Sequence, residues 1–531
     1  MIVGRSEHLT STSEIKRNFK EFKSDSNTSG PIIFYENGRK YFDDSEAHIA
    51  VIGRTGKGKS QIGSLPFIHN SIISGNSFIV LDPKGECYRK TSCYAEQNHD
   101  VRCIDFRNPR NSPTKWNPLY SIKEMLKSEN LDLNDIGSSM LSEMSDDIYP
   151  ISVNEDHFWP EAAGQFFKGL VYTLLELADD EEINIDSVSA LMEKAESKIR
   201  YSTNIKELFE FLSKNSLARR NLETYISAPN DTRASIHSVA VAGMRVFSQS
   251  KGLMNMICQD TLHINDLDIN EKPLAIYIIV PDETSTYDSL AGLLVSQLTQ
   301  HFIRLAQDKY NGRLPHRMNI ILEEVGSIGK SIKMLPNLMT ASRSRNIRLM
   351  LVLQSYSQLV DVYGQSNAET INASIGITMG FSTNSWETLN EWSQRCGERE
   401  VERNGAIVKE PILTASQLAA MPTATALIMI DNKYKHISHF PFYNEMYDCS
   451  NWKEPSTLYE KNILIPHKIF DITDYIEKLR DKKRGDIFNT ISNNPFSSQQ
   501  CNTVDEKRLD DIIKKIDEKI AEIEENGSDV E

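Results

Sequence analysis

The feature that most constrains this chain is "HIAVIGRTGKGKS", residues 48 to 60. An unbroken apolar run enters a glycine-rich loop, and a helix-like segment, "QIGSLPFIHNSII", follows. The loop fits G-x-x-x-x-G-K-[ST] at Gly53, Gly58, Lys59 and Ser60. These residue types meet one chemical need. Glycines let the backbone curl, so that amides along Gly53, Thr55, Gly56, Lys57 and Gly58 can face phosphate oxygens. The helix that follows adds its positive N-terminal end. Lys59 is placed to reach the β- and γ-phosphates of ATP, and the Ser60 hydroxyl to bind Mg2+. A dinucleotide fingerprint fails, because Gln61 stands where its third glycine belongs. Pro66 removes one helix hydrogen bond and is expected to kink the helix. A second buried run, "SFIVLDPKGE", ends in Asp82, Pro83 and Gly85. Strand, helix and strand with continuous apolar runs predict an α/β fold on a parallel sheet.

A phosphate loop needs acids at the mouth of a neighbouring strand, one to hold the metal through water and one to orient the attacking water. "NIILEEVGSIGK" supplies both: Glu323 takes the metal position and Glu324 the catalytic one. The run "IRLMLVLQS" ends a further strand in Gln354, whose amide can hydrogen-bond the γ-phosphate or its water. From Val325 to Val360 there is no Asp or Glu, while Lys330, Lys333, Arg343, Arg345 and Arg348 fall within the same stretch. Two roles fit such a window: an arginine finger reaching a neighbouring subunit's ATP, and phosphate contacts to DNA.

The chain has 531 residues, too many for one core, and a net charge of −15, which argues against a wholly basic nucleic-acid coat. Its seven cysteines form no CxxC pair, which fits reduced thiols rather than a disulfide scaffold or a zinc site. No apolar run approaches the ~20 residues of a membrane helix, and the polar N-terminus lacks a signal core. The pattern divides the chain into a first part of a nucleotide-binding domain (1–124), an inserted all-alpha domain (125–240) and a second nucleotide-binding part (241–449). A polar linker (450–502) and an acidic amphipathic helix (503–531) are expected to follow. That last helix carries Leu509, Ile512, Ile513, Ile516, Ile520 and Ile523 as one stripe.

With these elements placed, the chain resembles the type IV coupling proteins, ATPases of bacterial conjugation and type IV secretion that are more distantly related to the FtsK and HerA DNA translocases. The matching boxes are "HIAVIGRTGKGKS", "SFIVLDPKGECY", "KWNPL", "KPLAIYIIVPDE", "NIILEEVGSIG", "ASRSRNIRLMLVLQSYSQL" and "ATALIMID". The resemblance implies a RecA-like P-loop NTPase that assembles as a homo-hexamer with ATP sites between subunits. It implies a motor that couples relaxase-bound DNA to the secretion channel from the inner face of the cell membrane. The all-alpha domain would receive the DNA–relaxase substrate. Arg343 matches the proposed trans-acting finger, with Arg345 as runner-up, and Gln354 matches the family's sensor. Asp82, Lys84 and Glu86 lie in a family box without derivable roles. Members usually carry N-terminal transmembrane helices and an aspartate at the metal position. This sequence begins soluble, so either it reaches the membrane through a separate membrane-anchoring partner or it works as a soluble motor, and a monomer in isolation is expected; at the metal position it has Glu323. Two alternatives stand beside the motor: a nucleotide-binding adaptor that recruits the relaxosome with little hydrolysis, and a general FtsK/HerA-like translocase.

Overall fold

The computed structural model describes residues 8–151, 156–199, 202–328, 332–403, 406–431, 433–449, 453–455 and 466–492. The chain forms two compact units. One is built from residues up to 147 and from 245 to 467, the other from 148 to 244 and from 468 onward.

After a short helix, Thr12–Asn18, the first unit has a small antiparallel sheet of β1 (Lys20–Phe22), β2 (Ile32–Glu36) and β3 (Arg39–Phe42). Its main sheet has nine strands: β4 (His48–Ile52), β5 (Ser77–Asp82), β6 (Asp100–Asp105), β7 (Leu274–Ile279), β8 (Met318–Leu322), β9 (Ile347–Leu353), β10 (Ile375–Gly380), β11 (Thr425–Ile430) and β12 (Tyr434–His439). Their spatial order is β12-β11-β10-β4-β9-β8-β5-β7-β6. The seven strands from β10 to β6 run parallel, and β11 and β12 add antiparallel at one edge. β4, β5, β7, β8 and β9 are buried at every position. Helices cover both faces of such a sheet, which is why these strands read as unbroken apolar runs rather than alternating ones.

The register aligns the strand ends that matter. Leu322 pairs with Leu81 of β5 and with Leu351 of β9, while Leu353 pairs with Ile52 of β4. The carboxyl ends of β4, β9, β8 and β5 therefore share one edge, where the phosphate loop also emerges.

After the loop the chain takes a π-helical turn, Lys59–Ser64, before α1 (Leu65–Ile73) begins. The Leu65 amide donates to Ser60 O, five residues back. Pro66 therefore falls in the first turn of α1, where its missing amide costs nothing, and the expected kink is replaced by the wider turn before it.

The second unit is helical. Its longest member within the 148–244 segment, α4 (Phe158–Leu177), packs on α5 (Leu217–Ser227), where Phe166 stacks on Tyr225 at 3.8 Å between centroids. Gly169 lets the two helices close, since a Cβ there would lie 2.7 Å from Leu222 Cδ2. The helical unit begins at 148 rather than 125. Helix α3 (Leu131–Ile148) is held in the first unit, with Gln300 Nε2 donating to Glu143 at 2.6 Å. The stretch expected as a linker, 450–502, contains a helix over Ile472–Ser492. Phe470, Ile472 and Ile476 bury its start, and Asn184 Nδ2 donates to Lys468 O at 2.9 Å. The expected acidic helix of 503–531 lies outside the described residues. Among the described residues no helix is long and apolar enough to cross a membrane, and the six cysteines are all free thiols.

Candidate nucleotide site

The loop between β4 and the π-turn is shaped by its glycines. Gly56 (φ +80°) and Gly58 (φ +104°) hold left-handed conformations that other residues adopt only with strain. The Gly53 amide extends the ladder to Leu353 O at 3.1 Å, and a Cβ there would strike Phe381. Thr55 and Gly56 are exposed at the crest. Lys57 turns away: its Nζ donates to Met421 O at 3.4 Å, and its carbonyl accepts from the Ala424 amide at 3.4 Å. Lys59 is buried under the loop and donates to Gly53 O at 2.6 Å. Burial pushes its pKa down, the nearby carboxylates of Glu324 and Glu323 oppose this, and Lys84 adds to the lowering.

Across from the loop, Glu323 ends β8 and accepts a hydrogen bond from Ser60 Oγ at 3.2 Å. It is only 5% exposed. Burial raises its pKa to about 7; the Ser64 and Ser60 hydroxyls pull it down, and Asp82 and Glu324 push it up. Its second oxygen, Oε1, and Ser64 Oγ are both buried and neither makes a hydrogen bond of ordinary geometry, although the Ser64 hydroxyl lies near enough to stabilise the carboxylate. A buried carboxylate oxygen with no well-formed hydrogen bond, beside serine hydroxyls, fits a hard divalent cation such as Mg2+.

Glu324 is half-buried and left-handed, with φ +53°. Gln354, at the end of the strand between β4 and β8, donates from Nε2 to Glu324 Oε2 at 3.3 Å. The Gln354 main chain is clamped from two sides: its amide donates to Gln358 Oε1 at 2.8 Å and its carbonyl accepts from Thr383 Oγ1 at 2.9 Å. The structure thus brings Gly53, Gly58, Lys59, Ser60, Glu323, Glu324 and Gln354 to one edge.

It does not bring the arginines there. Arg343 is exposed in a 3-10 turn, Arg343–Arg345, at the entry of β9. Gln354 stands at the exit, roughly 20 Å away along the seven-residue strand. Three other bases of the acid-free window are committed elsewhere. Arg348 is buried and donates to Ser29 O and Asp43 O, with burial lowering its pKa to about 9. It is neither a finger nor a DNA contact, because an inward position of a central strand has no access to either. Lys333 pairs with Asp147 at 3.1 Å, and Arg345 donates to Ala341 O at 2.6 Å. Lys330 lies outside the described residues.

Residues 4–417 match the family described as Type IV secretory system Conjugative DNA transfer. The chain belongs to this family. No curated protein matches it. Among solved structures, the unbound coupling protein TrwBdeltaN70 is 17% identical, with a TM-score of 0.61 over 87% of this chain and 96% of that one. TrwB in complex with the ATP analogue ADPNP gives 18% and 0.61 over 86% and 97%, and TrwB with ADP and Mg2+ gives 18% and 0.58 over 82% and 94%. At these identities the likeness is one of fold: a RecA-like P-loop NTPase sheet with substantial helix.

The family box "DPKGE" acquires structural roles. Asp82 is buried and caps α2 (Glu86–Ala95), accepting the Glu86 and Tyr88 amides at 3.1 and 2.9 Å. Burial raises its pKa to about 6, against those two hydrogen bonds. Glu86 accepts from Gln61 Nε2 at 2.6 Å, tying α2 to the π-turn, and pairs with Lys90 at 3.1 Å. Sequence reasoning missed Gln61, Ser64, Gln358 and Thr383. None belongs to a motif with its own chemistry, and only tertiary pairing reveals them.

Proposed function

We propose that this coupling-protein family member hydrolyses ATP and uses the energy to deliver relaxase-bound DNA to a type IV secretion channel. One observation carries the reading: residues from three neighbouring strand ends converge with complementary chemistry. Gly53 to Ser60 form the phosphate cradle, Ser60 and Glu323 sit 3.2 Å apart as a metal-side pair, and Glu324 and Gln354 sit 3.3 Å apart as a water-side pair. Bound Mg2+ would be held by Ser60 and Glu323 and would neutralise charge on the phosphates. Lys59 would supply a buried positive charge to the same oxygens. Glu324, half-buried and hydrogen-bonded, is the base that orients water and takes its proton, while Gln354 fixes that carboxylate. TrwB's complexes with ADP and Mg2+ and with ADPNP support a magnesium nucleotide at this edge. Arg343, remote from its own chain's site, supports a finger acting on a neighbouring copy in a hexameric ring. DNA, the relaxosome and the channel are the partners this reading requires.

The test is ATP hydrolysis with and without single- or double-stranded DNA, for the wild type, Lys59→Ala and Glu324→Gln. DNA-stimulated turnover is expected in the wild type alone, with Glu324→Gln still binding ATP. Equal, trace turnover in all three would leave the adaptor instead. Full activity without any relaxase interaction would favour a general translocase.

A further inference from the structure

The antiparallel pair β11–β12 opens at the same edge as the phosphate loop. Its last register pair is Thr425 with His439, and Leu427 of β11 pairs with Gly380 at the end of β10. The segments on either side of that open end both border the loop. Before β11, the Ala424 amide donates to Lys57 O and Met421 O accepts from Lys57 Nζ, each at 3.4 Å. After β12 the chain runs Phe440, Pro441, Phe442, Tyr443. Phe440 is buried, with its amide on Ala424 O at 2.9 Å. Tyr443 is buried too, with its hydroxyl 3.2 Å from His69 Nδ1.

Phe442, between these two anchors, is left 39% exposed. A Cβ at Gly58 would lie 3.6 Å from Phe442 Cε1, so the edge of the ring borders the last glycine of the loop. Its main chain is fixed at the start of a short helix, Tyr443–Met446. The Phe442 amide donates to Glu445 Oε2 at 3.0 Å, and its carbonyl accepts the Glu445 and Met446 amides, each at 2.9 Å. A scattered exposed phenylalanine is ordinary. One held rigidly against a phosphate loop offers a flat apolar face beside the path of a nucleotide. The strand order gives that path a direction. Glu324 and Gln354 follow β8 and β9, on one side of β4, whereas β10, β11 and β12 lie on the other. A triphosphate whose terminal phosphate faces Glu324 sends its nucleoside end the opposite way, past Gly58 and toward Phe442.

We propose that Phe442 is the platform on which the base of the bound nucleotide stacks. The inference rests on the nucleotide reading above: the loop holds the phosphates and Phe442 takes the ring. Stacking uses the flat face that every base has, so Phe442 adds affinity for a nucleoside without selecting adenine. The fixed main chain keeps the ordering cost of this contact low.

Calorimetric binding of ADPNP and of inorganic tripolyphosphate, each with Mg2+, tests this in the full chain. Phe442→Ala is expected to weaken ADPNP about tenfold and tripolyphosphate less than about twofold. Phe442→Trp should restore ADPNP binding, and the indole it introduces should be quenched by ADPNP and not by tripolyphosphate. A merely structural role, in which the ring props the loop, would weaken both ligands alike and give no such difference in quenching. Equal loss for the two ligands, no loss for ADPNP, or an indole that ADPNP leaves unquenched overturns the proposal and leaves the nucleotide reading intact. A wild-type chain that does not bind ADPNP overturns both.

Discussion

Successive side chains of an extended strand point to opposite faces, so two adjacent acids do not ordinarily serve one site. Glu324 escapes this by leaving β8 in a left-handed conformation, φ +53°, which turns its carboxylate toward Gln354 while Glu323 stays beside Ser60. Such a conformation costs a non-glycine residue on the order of 1 kcal/mol or more. Glu324→Gly is therefore expected to raise the melting temperature slightly while abolishing ATP hydrolysis, opposite signs that calorimetry and a turnover assay read separately. Glu323 differs in kind, because burial holds its pKa at about 7 against an ordinary 4.5. A carboxyl whose pKa is raised on folding binds its proton more tightly in the fold, so stability falls as pH rises from about 4.5 to about 7. The full loss is on the order of 3 kcal/mol. Glu323→Gln, which keeps the shape and removes the charge, should flatten the melting temperature between pH 5 and 8. Mg2+ at pH 8 should stabilise the wild type and not this variant. Identical pH profiles for the two proteins would refute the assignment.

At the scale of elements, the site depends on how the β8 exit meets the helix that follows β9. Gly326 lies against the Gln358 carboxamide, so that a Cβ there would sit 2.3 Å from Gln358 Cδ. Gln358 in turn accepts the Gln354 amide. Gly326→Ala must displace Gln358 and loosen Gln354, and is expected to lower kcat for DNA-stimulated hydrolysis about tenfold with ATP KM little changed. A rise in KM alone would place the defect in binding instead. This contact shows what sequence reasoning can reach. The strand–loop–helix around Lys59, the acids after β8 and the amide after β9 are local patterns, legible because each residue's chemistry and its neighbours lie within one run. Gln358, Thr383 and the Asp82 cap are ordinary residues whose meaning comes from register between distant strands. The helix Ile472–Ser492 was hidden for another reason: "EKLRDKKRGD" is almost wholly polar, and the buried residues described in this segment are Phe470, Ile472 and Ile476. Pro66 misled because a π-turn, which has no sequence signature of its own, absorbed it.

For the whole molecule, the decisive geometry is the separation between Arg343 and its own chain's Gln354, which stand at opposite ends of β9. A seven-residue strand cannot bend to bring them together, so an arginine finger at this position must serve another copy. A surface that presents the finger and a different surface that receives it make a head-to-tail interface, which closes into a ring where its rotation allows. Two variants then become complementary. Arg343→Ala retains an intact Glu324 site and lacks the finger, whereas Glu324→Gln retains the finger and lacks the base. Each is expected to be inactive alone. Mixed in equal amounts with DNA and ATP, roughly a quarter of the interfaces in a random ring join a good site to a good finger, and turnover should return. The recovered rate should rise steeply with protein concentration, because association of separate chains must precede chemistry. If the mixture stays as inactive as its components while each still binds ATP, Arg343 does not act across subunits, and the exposed turn at the entry of β9 serves some other contact.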